Sequence, residues 1–204
     1  MDSKLTIGII AVAAIVIIAA AAFCLMNNGS DNTDPDTNKL EIKQTFQVGD
    51  THTIHVSGTI MGMAIDEDEV VKIIQVNSDG TYQVQIPDEE GGGTQTETMT
   101  RDEIVAEIAP SIADLNEKIK EESGMAIELK KVGTEVIKVS GFGDLKCDKY
   151  SASVNQSGST VTCTLYLESS SGVLVKMESN ISASGMTMNV TELLSSSTMV
   201  GIPN

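Results

Sequence analysis

Only two histidines occur, His52 and His55, within Thr51-His52-Thr53-Ile54-His55-Val56. On a helix that spacing could place both rings on one metal ion. In a strand, residues an odd number apart point to opposite faces. The surrounding Thr, Ile and Val predict a strand, so the pair cannot share an ion unless a bulge intervenes. The run Asp66-Glu67-Asp68-Glu69 offers oxygen ligands for Ca²⁺, with Asp66, Asp68 and Glu69 as candidates and Asp88, Glu89 and Glu90 as possible additions. It lacks the spaced acidic pattern and Gly of a dedicated calcium loop, and a solvated hairpin turn is the simpler reading.

A serine nucleophile needs a base and an orienting acid. Serines abound, yet G-x-S-x-G, phosphate-loop and dinucleotide motifs are all missing from the sequence. No catalytic residue, no cofactor and no dedicated metal site is expected. Met61, Met63, Met177, Met186 and Met188 fall on alternating strand positions, suited to filling a core or to lining an adaptable apolar pocket or soft-metal site.

The elements that must position these residues begin after residues 5–26, LTIGIIAVAAIVIIAAAAFCLM, which carry no charge and no Pro. As a helix this stretch would span about 33 Å, enough to cross a hydrocarbon core, and it is read as a transmembrane anchor. Lys4 precedes it and Asp31, Asp34 and Asp36 follow, so the N-terminus is expected in the cytoplasm and the bulk of the chain outside a cell membrane. Cleavage near the Ala19–Ala22 run and lipid attachment at Cys24 are the alternatives. Residues 27–39 are polar and read as a disordered linker. Residues 40–204 are long enough for one extracytoplasmic domain.

The formal charge is −16, from 29 acidic and 13 basic residues. Such a surface repels phosphate backbones, which excludes nucleic acid as a partner. Trp is absent and aromatics are 3% of the chain, too few for a base- or sugar-stacking platform.

Within the domain, alternating β-branched runs predict strands over 40–48, 51–65, 70–76 and 81–86, the last two joined by an Asp79-Gly80 hairpin turn. Residues 87–98 read as a mobile loop. Thr100-Arg101-Asp102-Glu103 is a capping box, and Ile104, Ile108, Ile112, Leu115 and Ile119 form one apolar stripe. Pro110 predicts a kink or two short helices meeting there. From residue 126 the strand pattern resumes, with a meander over 145–154, 160–168, 173–181 and 186–194. The tail from Ser195 reads as frayed. The expected class is α+β: a transmembrane helix, then a curved antiparallel sheet of half-barrel type packed on one kinked helix.

Cys147 and Cys163 are the only thiols beyond the apolar stretch, and an oxidising compartment would favour a bond between them. If Val154 pairs with Val161, Cys163 lies opposite Ala152, five residues from Cys147, too far for a bridge without a fold-back near Gly141–Gly143. Two free buried thiols are the competing outcome. Asn28, Asn155, Asn180 and Asn189 head N-x-S/T sequons and are glycosylation candidates.

The segment 136–198, with GFGDLKCDKY, SSSGVLVKMES and NVTELLSSS, resembles the C-terminal meander of small membrane-anchored archaeal envelope proteins. That pattern is similar in turn to lipoprotein-carrier-like half-barrels, a resemblance that implies an apolar, lipid-holding concavity and carries over no catalytic residue. The leading expectation is a non-enzymatic, single-pass envelope protein whose β-rich domain is structural or binds an apolar ligand or envelope partner. A cleaved, secreted, Ca²⁺-dependent adhesive domain comes second, and a hydrolase third.

Overall fold

A computed structural model describes residues 37–87, 93–123, 128–156, 159–183 and 186–203. Runs of alternating β-branched and polar residues pair into long antiparallel strands. The order along the chain is β1 (Glu41–Ile42), β2 (Thr51–Ile60), β3 (Met63–Val76), β4 (Tyr82–Pro87), β5 (Thr94–Met99), α1 (Arg101–Ile108), α2 (Ile112–Ser123), β6 (Lys130–Val139), β7 (Gly143–Gln156), β8 (Ser159–Glu168), β9 (Leu174–Ala183), β10 (Met186–Ser197) and β11 (Val200–Gly201).

Nine strands form one open sheet in the order β5-β4-β3-β2-β10-β9-β8-β7-β6, and β1 pairs with β11 in a separate ribbon. Two meanders, β2–β5 and β6–β10, are joined where β10 pairs with β2. The helices therefore connect the two opposite edges, β5 and β6. A flat sheet would hold those edges about 38 Å apart at about 4.8 Å per strand. Helices of 8 and 12 residues supply about 30 Å of that path.

Each helix serves a different apolar cluster. Ile104 and Ile108 of α1 join Ile73, Val84 and Leu194 in the larger cluster, which also takes in Val139 and Leu145 of β6 and β7. Leu115 of α2 joins Cys163, Leu165 and Met177 in the second. Of the alternatives at Pro110, a kink or two short helices, the second forms, which corrects the one kinked helix of the expected class. Pro110 cannot donate into a helical ladder, and Ala109 already leaves helical geometry. The capping box forms as predicted, with Thr100 Oγ accepting from the Glu103 amide and Glu103 Oε2 accepting from the Thr100 amide at 2.6 Å.

The α+β class built on a transmembrane helix is corrected as well. Among the described residues strands dominate, the sheet does not close, and no helix is long and apolar enough to cross a membrane. The expected anchor, residues 5–26, lies outside the described residues, as do Asn28 and most of the expected linker. The cell-membrane localisation inferred from that stretch is therefore unsupported.

Local expectations shift in three places and hold in a fourth. The acidic run 66–69 is not a turn: it lies within β3, and the chain reverses instead at Met61 and Gly62, both at positive φ. Residues 94–99 form an edge strand on β4 in place of a loop. The Asp79-Gly80 turn joins β3 to β4 as predicted, with the Asp79 carboxylate accepting from the Thr81 amide at 3.0 Å. The tail does not fray. Ser197 Oγ accepts from the amides of Met199 and Val200, turning the chain so that β11 meets β1 and Met199 is fully buried.

Just before β1, Asn38 reaches the other edge of the molecule. Its amide donates to the Asp144 carbonyl at 2.8 Å and its side chain to the Phe142 carbonyl at 2.7 Å. The N-terminal segment so straps the β6–β7 turn to the ribbon at the end of β10.

Candidate functional site

The two histidines go to opposite faces of β2, as the strand period requires. His55 is half-buried, 2.9 Å from Asp68 and 3.4 Å from Asp66. Those two carboxylates share its face because Asp68 pairs directly with His55 and Asp66 with Ser57. Glu69, paired with Ile54, points to the other face. Asp66, Asp68 and Glu69 therefore do not converge on one point, and no group of three metal-ligating side chains is found among the described residues.

His52 is 3% exposed, and burial lowers its pKa to about 4, so the ring is neutral. Its Nδ1 lies 3.2 Å from Ser197 Oγ. Asp50, two residues earlier, makes this resemble a serine–histidine–acid grouping. The acid does not touch the histidine, however. Its carboxylate accepts from Lys43 Nζ, the Gln47 amide and Thr198 Oγ1, and those bonds outweigh burial in holding it ionised. A relay needs an acid on the base and a serine open to substrate. These residues instead knot the chain's end to β2.

The two cysteines are free, which corrects the expectation of a disulfide. The register is the one foreseen, with Val154 opposite Val161 and Cys163 opposite Ala152. Burial, reinforced by neighbouring carboxylates, pushes both thiols up to about 12. Of the sequons described, Asn155, Asn180 and Asn189 are all exposed, and Asn180 pairs directly with Asn189, so sugars on both would crowd. Among the methionines, Met177 and Met188 are core, Met61 and Met63 are exposed, and the Met186 side chain lies outside the described residues.

The feature that composition did not announce lies on the face carrying Met177. Three neighbouring strands each present an apolar row along it: Val161, Cys163 and Leu165 on β8; Met177, Ser179 and Ile181 on β9; Met188, Val190, Glu192 and Leu194 on β10. The row is interrupted at adjoining places. Ser179 sits between Cys163 and Val190, and Glu192 between Met177 and Val56 of β2. No family model matches the chain, and no curated protein is similar to it. The residues themselves must carry the function.

Ser179 is 4% exposed and its hydroxyl has no hydrogen-bond partner. A weak contact of this hydroxyl with the Cys163 thiol opposes the rise of that thiol's pKa. Glu192 is 7% exposed. Burial, reinforced by the Glu69 carboxylate, pushes its pKa up to about 8, so it carries a proton at neutral pH. An unpartnered buried hydroxyl costs about 1–3 kcal/mol. In the sequence the signal of these two residues was a Ser and a Glu at inward positions of otherwise apolar alternation.

Proposed function

We propose that the domain is a binding module that performs no catalysis and holds an apolar ligand with a polar head against the face formed by β8, β9, β10 and β2. The observation that carries this reading is Ser179, whose buried hydroxyl lacks a hydrogen-bond partner, on the diagonal from the buried acid Glu192 within an apolar surround of Met177, Val190, Val56 and Leu165. Ligand sites are mostly apolar with a few placed polar groups, and those groups are unsatisfied until the ligand arrives. The reading makes no use of membrane attachment. The Ca²⁺-dependent adhesive alternative finds no converging carboxylates among the described residues to support it.

The test is titration of the purified full chain with an apolar fluorescent dye such as N-phenyl-1-naphthylamine. Saturable enhancement, weakened by Ser179→Leu at unchanged fold by circular dichroism, is the expected result. A dye signal that never saturates, or one indifferent to Ser179→Leu, would refute the site.

A further inference from the structure

The open sheet has two outer edges, and they are built differently. In the nine-stranded sheet only β5 and β6 have a neighbour on one side alone. A free edge presents unpaired amides and carbonyls, which invite a further strand unless charge or irregularity blocks it. β6 is blocked: it carries Lys130, Lys131 and Lys138, and its register on β7 shifts between Lys131 and Gly133. β5 has none of these devices. Its six residues, TQTETM, hold an unbroken register on β4, with no Lys and no Pro. Thr94 through Thr98 are exposed, and among the described residues no backbone hydrogen bond from outside the sheet reaches them. Thr94, Thr96 and Thr98 share one face; Gln95 and Glu97 share the other, with Glu97 paired to buried Val84.

We propose that β5 pairs antiparallel with β5 of a second copy of this chain, about a two-fold axis at Thr96, so that the two sheets run on as one. Residues directly opposed on two strands share a face, so the axis must pass between a residue and its own copy. At Glu97 it would set two carboxylates against each other, on chains that each carry a formal charge of −16. Nearer either end of β5 it would leave part of the strand without a partner. At Thr96 the run Thr94-Gln95-Thr96-Glu97-Thr98 is its own complement. Thr94 meets Thr98, Thr96 meets its copy, and each Gln95 amide donates to the Glu97 carboxylate opposite. A two-fold interface needs such self-complementarity, and Thr–Thr and bonded polar pairs stabilise adjoining strands. Five residues a side bury less than the about 800 Å² per partner of a stable complex, so the pair forms reversibly, near about 100 µM chain. Repulsion between the two acidic chains weakens it further at low salt. The contact is independent of the ligand face on β8, β9, β10 and β2.

The experiment is disulfide cross-linking of the full chain under mild oxidation, with the single variants Thr96→Cys and Glu97→Cys and the linked peptides identified by mass. Residues facing each other at the axis lie within reach of a disulfide. Thr96→Cys should therefore give a 96–96 linked dimer roughly tenfold faster than Glu97→Cys gives a 97–97 one, and added salt should speed it. Sedimentation equilibrium supplies the second reading. Gln95→Lys, which faces Glu97, should tighten the dimer roughly tenfold, and Thr96→Lys, which opposes two ammonium groups, should loosen it as much. The two substitutions change net charge alike, so opposite effects report the pairing and not the overall charge. Equal linking rates at 96 and 97, no linked dimer from either, or sedimentation that responds alike to both lysine substitutions would overturn the proposal.

Discussion

Cys147 and Cys163 face opposite sides of the sheet. Cys163 pairs with Ala152, and Cys147 lies five residues before Ala152 on the same strand, an odd step that turns its side chain over. Their clusters agree: Cys147 belongs with Leu145 and Val139 in the larger one, Cys163 with Leu165 in the second. A bridge would have to pass through the backbone of β7 and span five residues of offset, so no small adjustment of register could form it.

Both thiols should therefore be free and slow to react. Site-resolved mass spectrometry after alkylation should find Cys147 and Cys163 unmodified in the folded chain and fully modified, without reductant, in denaturant. A Cys147–Cys163 peptide pair would overturn the strand register.

Ile108 is buried in the cluster that holds α1 against β3 and β4. Ile108→Asp should cost about 3 kcal/mol or more, read as a lowered urea midpoint, because the site offers the carboxylate no partner. A midpoint equal to that of the parent would mean that α1 does not pack there.

Gly58 adopts φ +149, and a Cβ at this position would lie 2.0 Å from the Asn189 carbonyl oxygen and 2.9 Å from Val190 Cα. Since both contacts are backbone of the β2–β10 pair, nothing flexible can yield. Gly58→Ala should lower stability by roughly 1–3 kcal/mol. Gly80→Ala is the control: its positive φ strains the turn, yet open space surrounds it, so it should cost less.

Stability should be limited from both sides of neutrality by two buried groups. His52 titrates at 6.5 when unfolded and at about 4 when folded, so its contribution is present above pH 6.5 and is lost as pH falls toward 4. Glu192 titrates at 4.5 unfolded and about 8 folded, so its contribution is present below pH 4.5 and is lost as pH rises toward 8. Each loss runs at about 1.4 kcal/mol per pH unit, and between pH 4.5 and 6.5 the two offset each other. Glu192→Gln should flatten the fall above pH 6.5, and His52→Gln the fall on the acid side. Urea denaturation of the three chains across pH ~4 to ~8.5 checks this, and parallel profiles for all three would contradict the burial of both groups.

Local chemistry was legible in the chain because it depends on neighbours. The capping box at Thr100, the turn at Asp79-Gly80, the separation of His52 from His55 and the Val154–Val161 register all follow from dihedral preference and strand period. Tertiary pairing decided the rest. The run 66–69 reads as a turn by composition, yet β3 carries it through as strand because β2 supplies partners for each residue, with His55 between two of the carboxylates. The Ser-rich tail reads as frayed, yet Ser197 and Thr198 bind Thr51 and Asp50, nearly the whole domain away in sequence. One apolar stripe became two helices serving two clusters because Pro110 falls where the connection crosses between the sheet's edges. The placing of Ser179 and Glu192 depends on the same pairing. A Glu in one strand and a Ser in another are unremarkable apart, and only the alignment of β9 with β10 sets Glu192 on the diagonal from Ser179 within an apolar surround.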